Sequence, residues 1–163
     1  MSSLADLPSG TIIFIDANCL VYHFFNTYPS CTHMLQRAER GDINVLTSVS
    51  VVAELRHRLM MLEGAQQFHL PIGTIREHLR RHPERIRLLT KCHEAIESLP
   101  ALRIEILPIS WELLLASQRI SAEEGLLTND ALLIAVMRER RLTHLASNDA
   151  DFARLRDITL WRP

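Results

Sequence analysis

Short apolar runs rich in β-branched residues alternate along this chain with longer segments whose apolar positions recur every three or four residues. Thr11-Ile-Ile-Phe-Ile15 is the first run, the kind expected of a strand buried on both faces. Asp16-Ala-Asn18 follows at once and can open a helix through Leu20, Val21, Phe24 and Phe25. A second helical segment runs from Cys31 to Arg40 and is ended by Gly41. Asn44-Val-Leu-Thr47 predicts a second strand. Behind it, Val49, Val52, Ala53, Leu55, Leu59 and Leu62 give helical spacing, with Ser48 or Ser50 as the N-cap.

Gly64 to Gly73 reads as a loop, marked by Pro71 and Gly73. Thr74 to Leu99 is helical and charged, interrupted at His82-Pro83, where proline suits the first turn of a new helix that Pro100 closes. Arg103-Ile-Glu-Ile-Leu107 alternates polar with apolar residues and predicts a third strand. Ser110 can cap a helix reaching Glu124, stopped by Gly125. Asn129 to Arg141 is a further helix, Thr143-His-Leu-Ala146 a fourth strand, Asp149 to Leu155 a short helix, and Ile158-Thr-Leu160 a last strand. Strands alternating with helices imply a mostly parallel sheet of about five strands with right-handed crossovers. Working groups in such folds sit beyond the carboxyl ends of the strands.

The chain has 163 residues, 47% hydrophobic and 23% charged, which suits one domain over 1–163 with the segment 64–100 as a helical, Arg-rich extension. The formal net charge of −1 gives no overall positive field, so any nucleic-acid contact must rest on a local patch. Lys91 is the one lysine among 18 Lys and Arg residues, and arginine's rigid fork suits phosphate oxygens. Cys19, Cys31 and Cys92 form neither a CxxC pair nor an even set, which fits a reducing cytoplasm. The first ten residues lack the features of a signal peptide, and no apolar run approaches the roughly 20 residues a membrane helix needs. A soluble, cytoplasmic protein without a membrane partner is therefore expected. No Walker glycine loop and no GxGxxG occur, which excludes P-loop NTPases and simple dinucleotide binders.

The chemistry lies in the acids. Asp16 follows the first strand directly, and Asp149 and Asp151 follow the fourth. Glu54 is about one turn into the helix after the second strand, and Asp130 opens the apolar helix Ala131 to Met137. Each has a plain structural reading: Asp16 and Asp149 as Asx turns or N-caps, Asp130 as a partner of its helix dipole, Glu54 as an ion pair with Arg58. Together they mean more. Glu54 lies among Val51, Val52, Ala53 and Leu55, where an acid needs a partner. Clustered carboxylates repel unless a cation neutralises them, and hard oxygen ligands without Cys or His select Mg²⁺ or Mn²⁺. Such ions serve phosphodiester hydrolysis.

Phe14-Ile-Asp-Ala-Asn18, Val51-Val-Ala-Glu-Leu55, Asn129-Asp-Ala-Leu-Leu-Ile-Ala135 and Ser147-Asn-Asp-Ala-Asp-Phe152 resemble, in order, the four signature segments of PIN domains, and most closely the VapC-type toxins of type II toxin–antitoxin pairs. The resemblance spans Ile12 to Phe152 and implies a three-layer α/β/α sandwich. It implies metal ligation by Asp16, Glu54, Asp130 and Asp149 as the catalytic acids, with Asp151 as helper or substitute and Asn18 orienting Asp16 or a water. It implies a Mg²⁺- or Mn²⁺-dependent endoribonuclease that cuts single-stranded or structured RNA to a 5′ phosphate and a 3′ hydroxyl. It also implies a homodimer and a cognate antitoxin whose peptide fills the active-site groove.

The segment from Gly64 to Pro100 is longer than in the smallest such toxins. Arg56, Arg80, Arg81, Arg85 and Arg87 in or near it are candidate RNA contacts, or else a solvated face. His78 and His82 have metal-gripping spacing without a third ligand, which favours simple exposure. Trp111 and Trp161 read as closing the core, Tyr22, Phe24 and Phe25 as core or dimer surface, and Cys19 lacks a basic activator for a thiol nucleophile. Two rivals remain: a catalytically silent PIN-like module that binds RNA or protein, and an acidic phosphatase. The second usually carries Asp-x-Asp after the first strand, a pattern that Asp16-Ala-Asn18 breaks.

Overall fold

Six strands form one wholly parallel sheet in the order β1-β6-β5-β2-β3-β4, with helices on both faces. The structure, a computed structural model, describes residues 2–163. The strands are β1 (Ser2–Ser3), β2 (Ile12–Ile15), β3 (Asn44–Ser48), β4 (Ile104–Leu107), β5 (His144–Ala146) and β6 (Thr159–Arg162). The helices are α1 (Ala17–Phe24), α2 (Pro29–Glu39), α3 (Val49–Gln67), α4 (Ile72–Arg81), α5 (Lys91–Ser98), α6 (Trp111–Glu124) and α7 (Thr128–Glu139). The three-layer arrangement is the one expected. The sixth strand, β1, was not expected: at two residues it is too short to carry any period, and it exists only as a cover for the edge of β6.

Hydrophobicity sets the layers. Ile13, Phe14 and Ile15 in β2 and Leu145 and Ala146 in β5 are fully buried, as strands covered on both faces must be. In α7 every residue from Ala131 to Met137 is buried, because that helix packs against α6 and α3. No helix among the described residues is long and apolar enough to cross a membrane.

The loop expected from Gly64 is displaced. Helix α3 runs on to Gln67, and Gly64 lies inside it. A Cβ at Gly64 would come within 2.9 Å of Ile75 Cγ1, so this glycine marks the close approach of α4 onto α3 rather than a break. The turn comes at Phe68–Pro71, with His69 in the left-handed region at φ 52°. The helix expected after Pro83 is likewise divided. Pro83–Leu88 is a 3₁₀ turn, and α5 begins only at Lys91. Of the two tryptophans, Trp161 closes the core and donates from Nε1 to His144 Nδ1 at 2.9 Å. Trp111 is 64% exposed, because Ser110 caps α6 just ahead of it and its position turns outward.

The topology selects one place on the sheet. From β2 the chain moves outward to β3 and β4, then returns to β5 on the other side of β2. The carboxyl ends of β2 and β5 thus flank a switch point, the crevice where open α/β sheets bind ligands.

Candidate metal centre

Asp16 caps α1 at this crevice. Its Oδ1 accepts from the Ala17 N–H at 2.6 Å, and its Oδ2 accepts from Asn18 Nδ2 at 2.6 Å and from Ser147 Oγ at 2.7 Å. The sheet fixes this alignment, since Ile15 lies opposite Ala146 and the Asp16 N–H donates to the Ala146 carbonyl at 3.0 Å. Burial pushes the Asp16 carboxyl up, the bonds from Ser147 and Ala17 hold it down, and the charge of Glu54 pushes it up again.

Ser147 was missing from the sequence-level candidates. It is fully buried, and its hydroxyl meets Asp16 Oδ2, Asn18 Nδ2 at 3.0 Å and the Asp149 N–H at 3.1 Å. Asn18 Oδ1 in turn accepts from the Asn148 N–H at 3.2 Å. These bonds tie the start of α1 to the loop after β5. The only prior signal was the place of Ser147 directly after a strand, which fits many roles.

Asp149 caps a 3₁₀ turn, Ala150–Arg154, by accepting from the Asp151 N–H at 2.8 Å. That turn brings Asp149 and Asp151 to Asp130 in the first turn of α7. Oxygens of these three carboxylates all lie within 4.8 Å of one another, the only such trio of potential metal ligands among the described residues. Asp130 is raised from 3.8 to about 6, first by burial and then by the charges of Asp149, Asp16, Glu54 and Asp151. Asp130 therefore feels the other four acids, with Asp16 and Glu54 outside the tight trio.

Glu54 is engaged by Arg58, one turn on along α3, through Arg58 Nη2 to Oε1 at 2.8 Å. Asp151 has a longer contact with Arg154, at 3.7 Å. The trio's oxygen separations suit shared ligation of a hard divalent cation, whose metal–oxygen distances are about 2.0–2.6 Å. Donors that are all carboxylate suit a hard cation better than a soft one. The mutual repulsion at Asp130 is what such an ion relieves.

The candidate RNA arginines lie elsewhere. Arg80 and Arg81 pair with Glu77, at 3.7 and 2.8 Å. Arg85 stacks on Phe68 at 5.0 Å and meets His78 Nε2 at 2.7 Å. Arg56, two residues from Glu54, lies about 200° round α3 from it, and its charge is felt at Cys92. Arg87 lies in the exposed 3₁₀ turn. His78 and His82 stack on each other at 4.8 Å, and no third ligand joins them among the described residues. Tyr22, Phe24 and Phe25 pack half-buried on the core, the Tyr22 hydroxyl accepting from Asn148 Nδ2 at 3.1 Å. Cys19 is buried, and Cys31 together with burial pushes its thiol well up, which leaves it inert.

The profile described as PIN domain matches residues 13–158. Ribonuclease VapC6 of Methanocaldococcus jannaschii is 38% identical over 52 residues, which span 32% of this chain and 34% of the relative, so only about a third of that protein is matched. The VapBC2 structure from Rickettsia felis, bound to a DNA fragment from its promoter, has TM-score 0.61 at 17% identity and covers 93% of this chain and 98% of its own. A toxin–antitoxin complex from Klebsiella pneumoniae has TM-score 0.58 at 18% identity, covering 90% and 95%. VapC20 of Mycobacterium tuberculosis, described as a sarcin–ricin loop cleaving toxin, has TM-score 0.54 at 16% identity, covering 86% and 92%. At these identities the three structures speak for the fold.

Proposed function

The chain belongs to the PIN-domain family, and from that premise we propose that it is a Mg²⁺- or Mn²⁺-dependent endoribonuclease, the toxin of a type II toxin–antitoxin pair. One observation carries the reading: Asp130, Asp149 and Asp151, from two separate segments, crowd their oxygens within 4.8 Å at the switch point of the sheet. Repulsion of that kind costs stability and persists where function needs it.

On this reading Asp130, Asp149 and Asp151 hold the cation, with Asp16 and Glu54 closing the site. Bound there, the ion supplies Lewis acidity toward a phosphodiester and makes water nucleophilic at neutral pH. Asn18 and Ser147 hold the Asp16 carboxylate in one orientation, so that no reorganisation is needed when substrate arrives. Asp130, raised to about 6, is largely ionised at neutral pH, and protons compete with the cation for it only in more acidic solution. Arg58 holds Glu54 at the mouth of the site. RNA, an antitoxin and a second copy of the chain are the partners this role calls for.

Purified protein should cut single-stranded RNA in Mn²⁺ or Mg²⁺, leave it intact in EDTA, and lose the activity in Asp16→Asn. Induced expression should arrest growth, and coexpression of an antitoxin should restore it. Folded wild-type protein that leaves diverse RNAs whole in both metals would overturn the reading.

A further inference from the structure

A groove of about 520 Å³ opens beside the acids, between α1, α3 and α4. Val21, Met61, Leu62 and Ile72 make its apolar walls, and His57, Arg58 and Arg76 stand at its edge. Its position follows from helix spacing. On α1 the groove begins at Val21, three residues after Asn18, and on α3 it begins at His57 and Arg58, about one turn after Glu54. Arg58 pairs with Glu54 and its charge lowers the Asp16 carboxyl, so through Arg58 the groove adjoins these two acids.

Building on the nuclease reading, we propose that this groove binds the nucleotide of single-stranded RNA next to the cleaved bond, the base on the apolar walls and its phosphates between Arg58 and Arg76. The volume falls in the range of small-ligand sites, and aliphatic walls with cationic edges suit a nucleotide, its base against the walls and its phosphates at the edge. Arg58 spends one donor nitrogen on Glu54, which leaves others of its five N–H groups for a phosphate. Arg76, one turn after Ile72 on the same face of α4, is exposed and has no ion pair among the described residues. Arg80 and Arg81 on that helix are instead committed to Glu77. Neither Arg80 nor Arg81 lines the groove, so the α4 charge at its edge is Arg76. The groove also borders a net-negative centre, and the two arginines supply the attraction that draws a polyanion there.

Gly73 gives a test that spares the fold. It lines the groove, a Cβ there meets nothing within 4 Å, and its φ lies outside the left-handed region. Gly73→Leu should add bulk at the rim of the groove without strain. Anisotropy of a short labelled single-stranded RNA, measured in an Asp130→Asn background so that it stays uncut, should show Gly73→Leu and Arg76→Gln each weakening binding about tenfold. Arg76→Gln should also lower the slope of log affinity against log salt by about one, and Arg80→Gln should change affinity less than about twofold. In the cleaving protein the two groove variants should raise KM with kcat little changed.

RNA affinity unmoved by both groove variants overturns the proposal, as does capture of an apolar peptide in the groove with RNA binding unaffected. The readouts separate the two readings. If wild-type protein fails to cut RNA but the groove variants lose RNA binding, only the nuclease reading falls. If it cuts RNA with KM unchanged by Gly73→Leu and Arg76→Gln, only the groove proposal falls.

Discussion

Glu63 and Asp130 are both carboxylates at a helix N-terminus, and the fold treats them in opposite ways. Glu63, 8% exposed on α3, accepts the Lys91 N–H at 3.0 Å through one oxygen and the Cys92 N–H at 2.8 Å through the other. It caps α5 from another helix, where Thr90 supplies no side-chain cap, and the helix dipole favours its charge. Asp130 also lies in the first turn of a helix without a side-chain cap, yet its neighbours are Asp149 and Asp151. One acid has its charge matched by backbone donors. The other is set among charges of its own sign, an arrangement that opposes the fold and that a bound cation would relieve.

Neutralising the two acids should therefore have effects that cross over. Asp130→Asn should cut RNA cleavage by at least about a hundredfold, since it removes a proposed ligand. The same change should raise metal-free stability by about 1 kcal/mol, a value discounted for solvent screening around a half-buried group. Single-turnover assays and chemical denaturation in EDTA measure the two. If Asp130→Asn destabilises metal-free protein, the repulsion inferred here is absent.

Glu63→Ala should do the reverse. It leaves two N–H groups at the start of α5 without their acceptor and costs about 2 kcal/mol in denaturant unfolding. Cleavage per folded molecule should stay within about twofold of wild type, the ordinary reach of a change that only loosens packing. A loss of activity in fully folded Glu63→Ala would erase the contrast between a structural and a functional acid.

Ser147→Ala falls between the two. It removes a buried hydroxyl that bonds Asp16, Asn18 and the Asp149 N–H, so both stability and cleavage should drop, stability by about 1 kcal/mol. Rescue by Thr, which keeps the hydroxyl, would identify the bond as the cause. Equal losses in Thr and Ala would point to packing.

The same contrast explains which parts of the molecule could be read from sequence. The layer order follows from local signals: a β-branched run at Ile12–Ile15, caps at Ser48 and Ser110, and the stop at Gly125 with φ 65°. The acids were legible because position relative to strand ends is itself a sequence property. What escaped depends on partners distant in the chain. Ser147 matters through a bond 131 residues back, and Glu63 through bonds 28 and 29 residues ahead. Gly64 looked like a loop because its reason, the Ile75 side chain, lies on another helix. The pairing of Arg80 and Arg81 with Glu77 was equally hidden, since those side chains meet only once α4 has formed.

The smallest effect is the pH dependence of metal-free stability. Asp130 is raised from 3.8 to about 6 in the folded protein, so between about pH 4 and pH 6 the folded state holds a proton that the unfolded chain has lost. Unfolding free energy should accordingly decline as pH rises through that window. Asp16, raised mainly by burial, acts in the same direction. Asp157, held low by Arg138, loses its contribution only below its ordinary range, outside the window. His23, lowered by burial, runs the opposite way and blurs the raw curve. The difference between wild type and Asp130→Asn removes that shared background and leaves the Asp130 contribution, about 1 kcal/mol across the window once screening is allowed for. Saturating Mn²⁺ should reverse the wild-type slope, because the cation competes with the same proton and binds better as pH rises. Parallel curves for the two proteins in EDTA would mean that the acids at the switch point do not repel one another enough to need an ion at all.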